Sequence, residues 1–452
     1  MQGSTAIRSK IEQWVSWYRG KVDNFHTYEQ YNGVKMVKRD RLSLSLPKKI
    51  CEDKADLLLN EKVEINIGDK NAQAYVDEVL HSVNFWVEGN QLVELSNALG
   101  TGAFVVFVKN NKVALDTIEA TNIYPLAYES GLIVDCAFAS KVESKGEALT
   151  FLNIHEKIGD EYIIRNIFLD ESGDETAFPP WFTLAPEIHT GSHLPMFQII
   201  KPNIVNSFDW NTPMGISVFA NAIDVLKGID IIYDSYINEF TLGKKRVFLD
   251  PSVMQVHLNG EGAGLTPTFD TNDVAFYGLS GLNESSDPIK EINMELRIDE
   301  HIQAINNNLN LLSSKCGFGQ DYYAFEGGGL KTATEVVSEN SDLFRRIKKD
   351  EIIINKALVG MVRAIIYLAN NMLGAGLNES ADITINFDDS IIEDKAEERK
   401  QALIERNAGL IDDVQYFTET REMTQEQALE FVAEMKARMP DEPPPEGEYH
   451  RG

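Results

Sequence analysis

Cysteine is scarce in this chain: three residues in 452, Cys51, Cys136 and Cys316, far apart and in no metal-like spacing. An odd, scattered set argues against a disulfide framework or a zinc cluster and leaves reduced thiols. Long apolar runs are missing too. The nearest, Ala357 to Leu373, is interrupted by Arg363 and Asn370, so no membrane span is expected. The opening residues MQGSTAIRSKIEQW hold no apolar signal core, and no export signal is expected. Positive charge is also short, with 42 Lys and Arg against 70 Asp and Glu and a formal charge of −28. Tight non-specific binding to nucleic acid requires cations that neutralise phosphates, so this balance argues against it. A surface that a duplex slides past is still allowed, because an acidic wall repels the phosphates.

Catalytic motifs are absent as well. There is no G-x-S-x-G, no H-E-x-x-H and no Cys–His pairing. The eight histidines are scattered, and His189 and His193, spaced i, i+4, sit between Pro186 and Pro195 where a long helix is disfavoured. The run Gly327 to Thr332 fails the phosphate-loop pattern because Leu330 separates Gly329 from Lys331. Asp388, Asp389, Glu393 and Asp394 cluster at a helix start. Acidic residues suit the positive end of a helix, and no histidine completes a ligand set. No enzymatic activity, cofactor or metal is expected.

What is present is an ordinary folded composition, 43% apolar and 25% charged, long enough for more than one domain. Residues 1 to 30 read as helical, with Ile11, Trp14, Val15 and Tyr18 on one face. Residues 72 to 99 read as a helix, and a hairpin is expected around Lys109-Asn110-Asn111. Strand-like runs follow at 132–140, 149–156 and 162–169. From Gly215 to Thr241 the periodicity becomes helical, with Ile223, Leu226, Tyr233, Ile237 and Phe240 at three- and four-residue steps. A second helix spans Asn293 to Ser314, striped by Ile298, Ile302, Ile305, Leu309 and Leu312. Core packing is the default use of such stripes. Because the two helices flank short β-rich pieces at 246–292, they read as a projection with a small tip. Lys244, Lys245 and Arg246 stand where the first helix meets the tip, either as cations at a solvated helix end or as a contact for DNA or a partner.

The loop 316–331 is rich in glycine and aromatics. Thr332 and Glu335 then form a capping box that opens a helix reaching about Leu373, about 60 Å at ~1.5 Å per residue. Gly360 is a point where it could bend. A short strand at 383–387 precedes a second box, Ser390 with Glu393, and Thr424 with Gln427 makes a third. From Glu379 onward 20 acidic residues face 8 basic ones, and from Pro440 the chain reads as a disordered tail.

This order of elements resembles the portal proteins of tailed bacteriophages, the head-to-tail connectors, and within them the portals of long-tailed phages of Gram-positive bacteria. The likeness is carried by NSFDWNTPMGISVFANAIDVLKGIDIIYDSYINEF at 206–240 and GKKRVFLDP at 243–251. GFGQDYYAFEGGGLKTATEVVSENSDLFRRI at 317–347 and INFDDSIIEDKAEERKQALIERNAGLI at 385–411 carry it further. LPKKICEDKADLLLNEKVEI and LSNALGTGAFVVFV fit more loosely. The resemblance implies an α+β, ring-forming architecture. Its parts would be an N-terminal and wing region at 1–215, a first stem helix at 216–245 and a clip at 246–292. A second stem helix at 293–315 and a tunnel loop at 316–331 would follow. A long helix and wing strand at 332–386, crown helices at 387–439 and a tail at 440–452 complete it.

Members form closed rings, generally dodecamers, at one capsid vertex of the virion after assembly in the host cytoplasm. Double-stranded DNA passes through without sequence-specific binding. The resemblance implies that the clip docks the terminase large subunit and then a head-completion adaptor, and that the wing meets the major capsid and scaffolding proteins. It places Gly317, Phe318, Gly319, Tyr322, Tyr323, Phe325, Gly327, Gly328, Gly329 and Lys331 in the channel loop, and Lys244, Lys245 and Arg246 at the docking end. Two other readings stay open: another virion ring or adaptor without DNA translocation, or a soluble hydrolase with a dispersed site.

Overall fold

The computed structural model describes residues 3–31, 33–144, 147–243, 246–249, 256–258, 265–267, 276–278, 289–319, 322–323, 333–387, 402–421, 423 and 425–438. It divides into two compact units, Met1–Phe387 and Asp388–Gly452.

In the first unit, α1 (Gly3–Tyr18) buries Ile7, Ile11, Trp14 and Trp17, spaced by four, three and three residues. The helix expected to reach residue 30 ends at Tyr18, and the chain becomes the ribbon of β1 (Thr27–Tyr31) and β2 (Met36–Asp40). Next come α2 (Leu46–Leu58), with Pro47 in its first turn where the missing N–H is harmless, and β3 (Glu64–Ile67). The single helix expected over 72–99 is two, α3 (Lys70–Ser82) and α4 (Phe85–Leu99). Asn84 lies in the left-handed region at φ 51° and breaks the run.

Strands β4 (Gly102–Lys109) and β5 (Lys112–Glu119) pair through a turn in which Asn110 and Asn111 both take positive φ, the backbone a two-residue hairpin needs. A meander of β6 (Ile123–Glu129), β7 (Leu132–Ser144), β8 (Glu147–Ile158) and β9 (Glu161–Leu169) follows, extended by β10 (Glu175–Thr176) and β11 (Glu187–His189) on β9. β12 (Phe197–Ile200) returns to the other sheet, giving the order β12-β4-β5.

The helix expected from residue 216 begins later. A 3₁₀ turn at Ala220–Ala222 leads into α5 (Ile223–Leu242). The described strands of the following segment are β13 (Arg246–Leu249), β14 (Val256–Leu258), β15 (Leu265–Pro267), β16 (Phe276–Gly278) and β17 (Ile289–Ile292). The second helix, α6 (Ile298–Cys316), also starts later than the expected 293, since residues 293–297 are irregular. α7 (Ala333–Leu373) runs 41 residues, and β18 (Ile383–Asn386) pairs antiparallel with β3, tying the end of the unit to its beginning.

By length and composition Leu343–Leu373 could cross a membrane, but more than half of its apolar window is buried. Ile347, Leu358, Met361, Val362, Ile365 and Ala369 have no solvent exposure. This is a core helix packed on β4 and β12. Gly360 does not break it. A Cβ there would stand 2.4 Å from the Gln198 side chain of β12, so the glycine serves close packing.

In the second unit, residues 402–407, α8 (Asp413–Arg421) and α9 (Gln425–Arg438) are helical. Phe417, Ala428 and Val432 form its core, and the Arg421 guanidinium lies over the Phe417 and Phe431 rings at 5.3 and 5.1 Å. The three thiols of the chain are free and buried. Ser390, Glu393, Thr424 and the tail from Pro440 lie outside the described residues.

One buried histidine ties stability to pH. His155 on β8 is 1% exposed and packed edge-on against Phe138 and Phe197. Burial pushes its pKa down to about 3. The native ring is therefore neutral at pH values where the unfolded chain protonates, near 6.5. The group's contribution is complete above pH 6.5 and is lost as pH falls toward 3. Urea titrations between about pH 6 and 4 should show His155 costing ~1 kcal/mol per pH unit, a slope that His155→Phe flattens. Equal slopes for both proteins would contradict the assignment.

Candidate functional site

The two striped helices pack on each other as an antiparallel hairpin. The Lys315 ammonium donates to the Asn221 carbonyl at 3.1 Å, and Gly228 faces the Asn308 side chain. Further along, the Tyr236 and His301 rings are 5.9 Å apart and Arg297 Nε donates to Glu239 at 3.0 Å. Strands β13 and β17 continue the pairing in the same sense, Arg246 opposite Ile292. The chain therefore leaves the body on one rod, crosses a β segment and returns on the other. β13 also pairs parallel with β16, and β14 with β15.

Burial along the rods is graded. Leu226, Ile229, Ile305, Leu309 and Leu312 are buried, Tyr233, Ile237, Ile298 and Ile302 farther out are half-buried, and Ile223, at the very start of α5, is half-buried as well. Phe240, expected on the packed stripe, is 41% exposed. Its position near the end of α5, beyond the reach of the body, explains the difference.

At the base a charge cluster is sealed in. Lys54 of α2 has no solvent exposure, and its ammonium donates to Asp350 Oδ2 of α7 at 3.4 Å. Arg346 Nε lies 3.5 Å from the same oxygen, and the Asn203 backbone N–H donates to Asp350 Oδ1 at 2.9 Å. Burial lowers the Lys54 pKa, Asp350 opposes that shift and Arg346 adds to it. The end of α6 closes the cluster. Gly317 caps the helix at φ 82°, where a Cβ would stand 2.8 Å from Arg346 Cγ, and the Phe318 N–H reaches back to the Ser313 carbonyl at 2.8 Å. The Lys54 ammonium is 5.3 Å from the Phe318 ring centroid.

This corrects the expected place of the first loop aromatics. Phe318 is 2% exposed, its ring centroid 4.6 Å from that of the tilted Tyr322 and 5.3 Å from that of the edge-on Tyr323, and the Tyr323 hydroxyl donates to Asp53 Oδ2 of α2 at 2.9 Å. Phe318 and Tyr323 are thus anchored on the chain's own body, and Gly319 is buried with them. Apolar area and a buried acceptor at α2 outcompete projection. Burial, then the neighbouring Asp53 charge, raises the Tyr323 pKa. Burial also pushes Cys316 up to about 12. Tyr322 is 41% exposed. Phe325, Gly327, Gly328, Gly329, Lys331 and Thr332 lie outside the described residues, as do Lys244 and Lys245. Arg246 and Glu335 are described in backbone only, in β13 and α7.

A second polar junction holds the N-terminal segment to the first rod. Asp230 of α5, 5% exposed, accepts from the Ser43 hydroxyl and the Leu44 N–H at 3.0 Å each. His26 Nδ1 accepts from the Val22 N–H, so its Nε2 carries the proton and donates to Asp230 at 3.0 Å. The Leu42 N–H donates to Asp234 one turn on. Lys54, Asp350, Asp230 and His26 did not emerge from the sequence. Their signal was a charge on an apolar stripe: Lys54 among Ile50, Cys51, Ala55 and Leu58, and Asp350 between Ile347 and Ile354.

The family model described as "Phage portal protein, SPP1 Gp6-like" matches residues 2–438. No curated protein matches. Among solved structures, the fold is similar to a chain of the virion of a native gene transfer agent particle, at 11% identity and TM-score 0.45, covering 82% of this chain and 87% of that one. It is also similar to chains of two gene transfer agent necks. The native particle computed with C12 symmetry gives 12% and 0.41, and the empty particle computed with C6 symmetry gives 13% and 0.39, both with the same coverages.

The cluster at the base yields a direct test. Lys54→Met strands the Asp350 carboxylate in the interior and should cost on the order of 3 kcal/mol, read as a lowered denaturation midpoint. Adding Asp350→Leu should recover a good part of that loss. Additive damage from the two changes would rule out a coupled pair.

Proposed function

The chain belongs to the SPP1 Gp6-like phage portal protein family, and on that premise we propose how its parts work. A portal is a structural component of the virion and not an enzyme. In our reading the hairpin of α5 and α6 is the stem, the β segment between them the clip, and the sheets with α1–α4 the wing. The second unit is the crown. Identical copies stand side by side around an axis, most simply as a dodecamer, and DNA moves through the hollow. Kinship with portals of long-tailed phages of Gram-positive bacteria belongs to the same reading.

The observation that carries it is the antiparallel hairpin with paired strands at its far end. Its rods expose Ile231, Phe240 and Leu311 at 45%, 41% and 48%. Apolar groups on a projecting rod gain from coverage, and a heterologous contact repeated around a closed ring supplies it. Acidic character suits passage. A duplex with a charge every ~1.7 Å meets repulsion from an acidic bore and does not stick. The driving energy then comes from outside, from the terminase docked at the clip. The head-completion adaptor takes the same end afterwards, while the wing meets capsid and scaffolding protein.

Electron microscopy of the purified chain should show annular particles with a central hole, and compact monomers at micromolar concentration would refute the ring. Because Phe318 and Tyr323 are anchored, the loop is best tested by removing 324–329 alone. Rings should persist while DNA packaging or retention drops by at least tenfold, and normal infectivity would remove the loop from the mechanism. Exchanging Lys244, Lys245 and Arg246 for Glu should weaken terminase or adaptor capture without lowering the denaturation midpoint. Unchanged capture would leave these cations as a solvated helix end.

A further inference from the structure

The ribbon of β1 and β2 pairs with no third strand, and no described side chain in either strand is buried. The pair β3 with β18 shows the difference, for Ile65, Ile67 and Ile385 are buried there. A lone two-stranded ribbon gains little stability by itself in water. This one is held at its root. The Arg41 N–H donates to the His26 carbonyl at 2.7 Å. The Arg41 guanidinium donates to the Phe25 carbonyl at 2.6 Å and lies over the Phe25 and Tyr28 rings. His26 in turn binds Asp230 of α5, so the ribbon is rooted on the first rod. Its far end is apolar. Tyr31 and Met36 stand directly opposite each other, 62% and 56% exposed, and Val34 between the strands is 84% exposed. Behind that tip the ribbon is cationic. Residues 27–41 hold Lys35, Lys38, Arg39 and Arg41 against Glu29 and Asp40, a net charge of +2, so the rest of the chain carries −30.

We propose that this ribbon is an arm that docks on a second copy of the chain, with Tyr31, Val34 and Met36 covered by that copy and the cations behind them facing its carboxylates. The chemistry of the arm selects this partner. Nucleic acid would take the cations, but a phosphate backbone leaves an apolar tip without gain. A protein surface covers the tip, and burial of its three side chains is favourable. A positive arm on a negative body also makes each copy complementary to the next. Each chain gives its ribbon to one neighbour and receives one from the other, the heterologous contact that repeats around a closed ring. The arm thus rests on the ring reading and names the segment that joins the copies.

With p-benzoylphenylalanine in place of Val34, irradiation of the assembled full-length protein should give a ladder of chain-to-chain products on a denaturing gel. Tyr31→Ser, Val34→Ser and Met36→Ser together should raise the concentration at which half the chains assemble by about tenfold or more. An unchanged circular dichroism spectrum separates lost assembly from lost folding, and the cross-link stands even if the triple variant fails to fold. Absence of annular particles in the natural protein would refute the ring and the arm with it. Rings whose position 34 cross-links only within its own chain or to DNA, or a folded triple variant that assembles at the natural concentration, would overturn the arm alone.

Discussion

Lys54 carries an ammonium into a site with no exposure to water, and Asp350 receives it. Burying a charge is costly unless its partner and the remaining hydrogen bonds are in place. Here those partners come from segments far apart in the chain: α2, the Asn203 backbone, Arg346 of α7, and the Phe318 ring at the end of α6. None can shift alone without uncovering the pair. The return rod of the hairpin and the long helix are therefore fixed to each other and to α2 at one point. The loop between them starts from that point, with Tyr323 bonded to Asp53 beside Lys54.

Asp230 does for the first rod what Asp350 does for the second. It collects three donors from the N-terminal segment, and Asp234 collects a fourth. Both rods are thus rooted through carboxylates that are satisfied inside the subunit and withdrawn from any surface role. The acidic excess of the chain has two fates. Some carboxylates are internal fasteners, and the rest, such as Asp224 with its side chain 96% exposed, face solvent. Only the second group contributes to the potential outside the subunit. The net charge of −28 therefore overstates the repulsive surface, though not its sign.

Periodicity made α5, α6 and α7 legible, and in α7 the apolar spacing is strict: Leu343, Ile347, Ile354, Leu358, Met361, Ile365. Boundaries were less legible. Asn84 breaks 72–99 with a single left-handed residue, and the 3₁₀ turn before Ile223 keeps the apolar content of a helix without its geometry. The loop aromatics were misplaced for a different reason. Composition says that Phe318 and Tyr323 are apolar and near glycines, but only the tertiary structure brings Asp53 and Lys54 to them. Gly360, a point where α7 could bend by sequence, is instead a close contact, since nothing local reveals Gln198 across from it. The charges at core positions, Lys54 and Asp350, are the sign of the site that the sequence itself carries.

The gradient along the rods follows from these anchors. Side chains near the base are closed by the body, so Ile229 and Leu312 have no exposure, while Phe240 near the far end keeps 41%. A subunit that buried its rods fully would have nothing left to share with a neighbour, and one that left them bare from root to tip would collapse or aggregate. Packing within the chain is densest at the root, and exposed apolar side chains are spread along the rods, from Leu311 through Ile231 to Phe240. Assembly then adds burial where the single chain has least of it. The Lys54–Asp350 root, by contrast, is complete within a single chain, so a second copy adds burial along the α5–α6 hairpin without being needed to close its base.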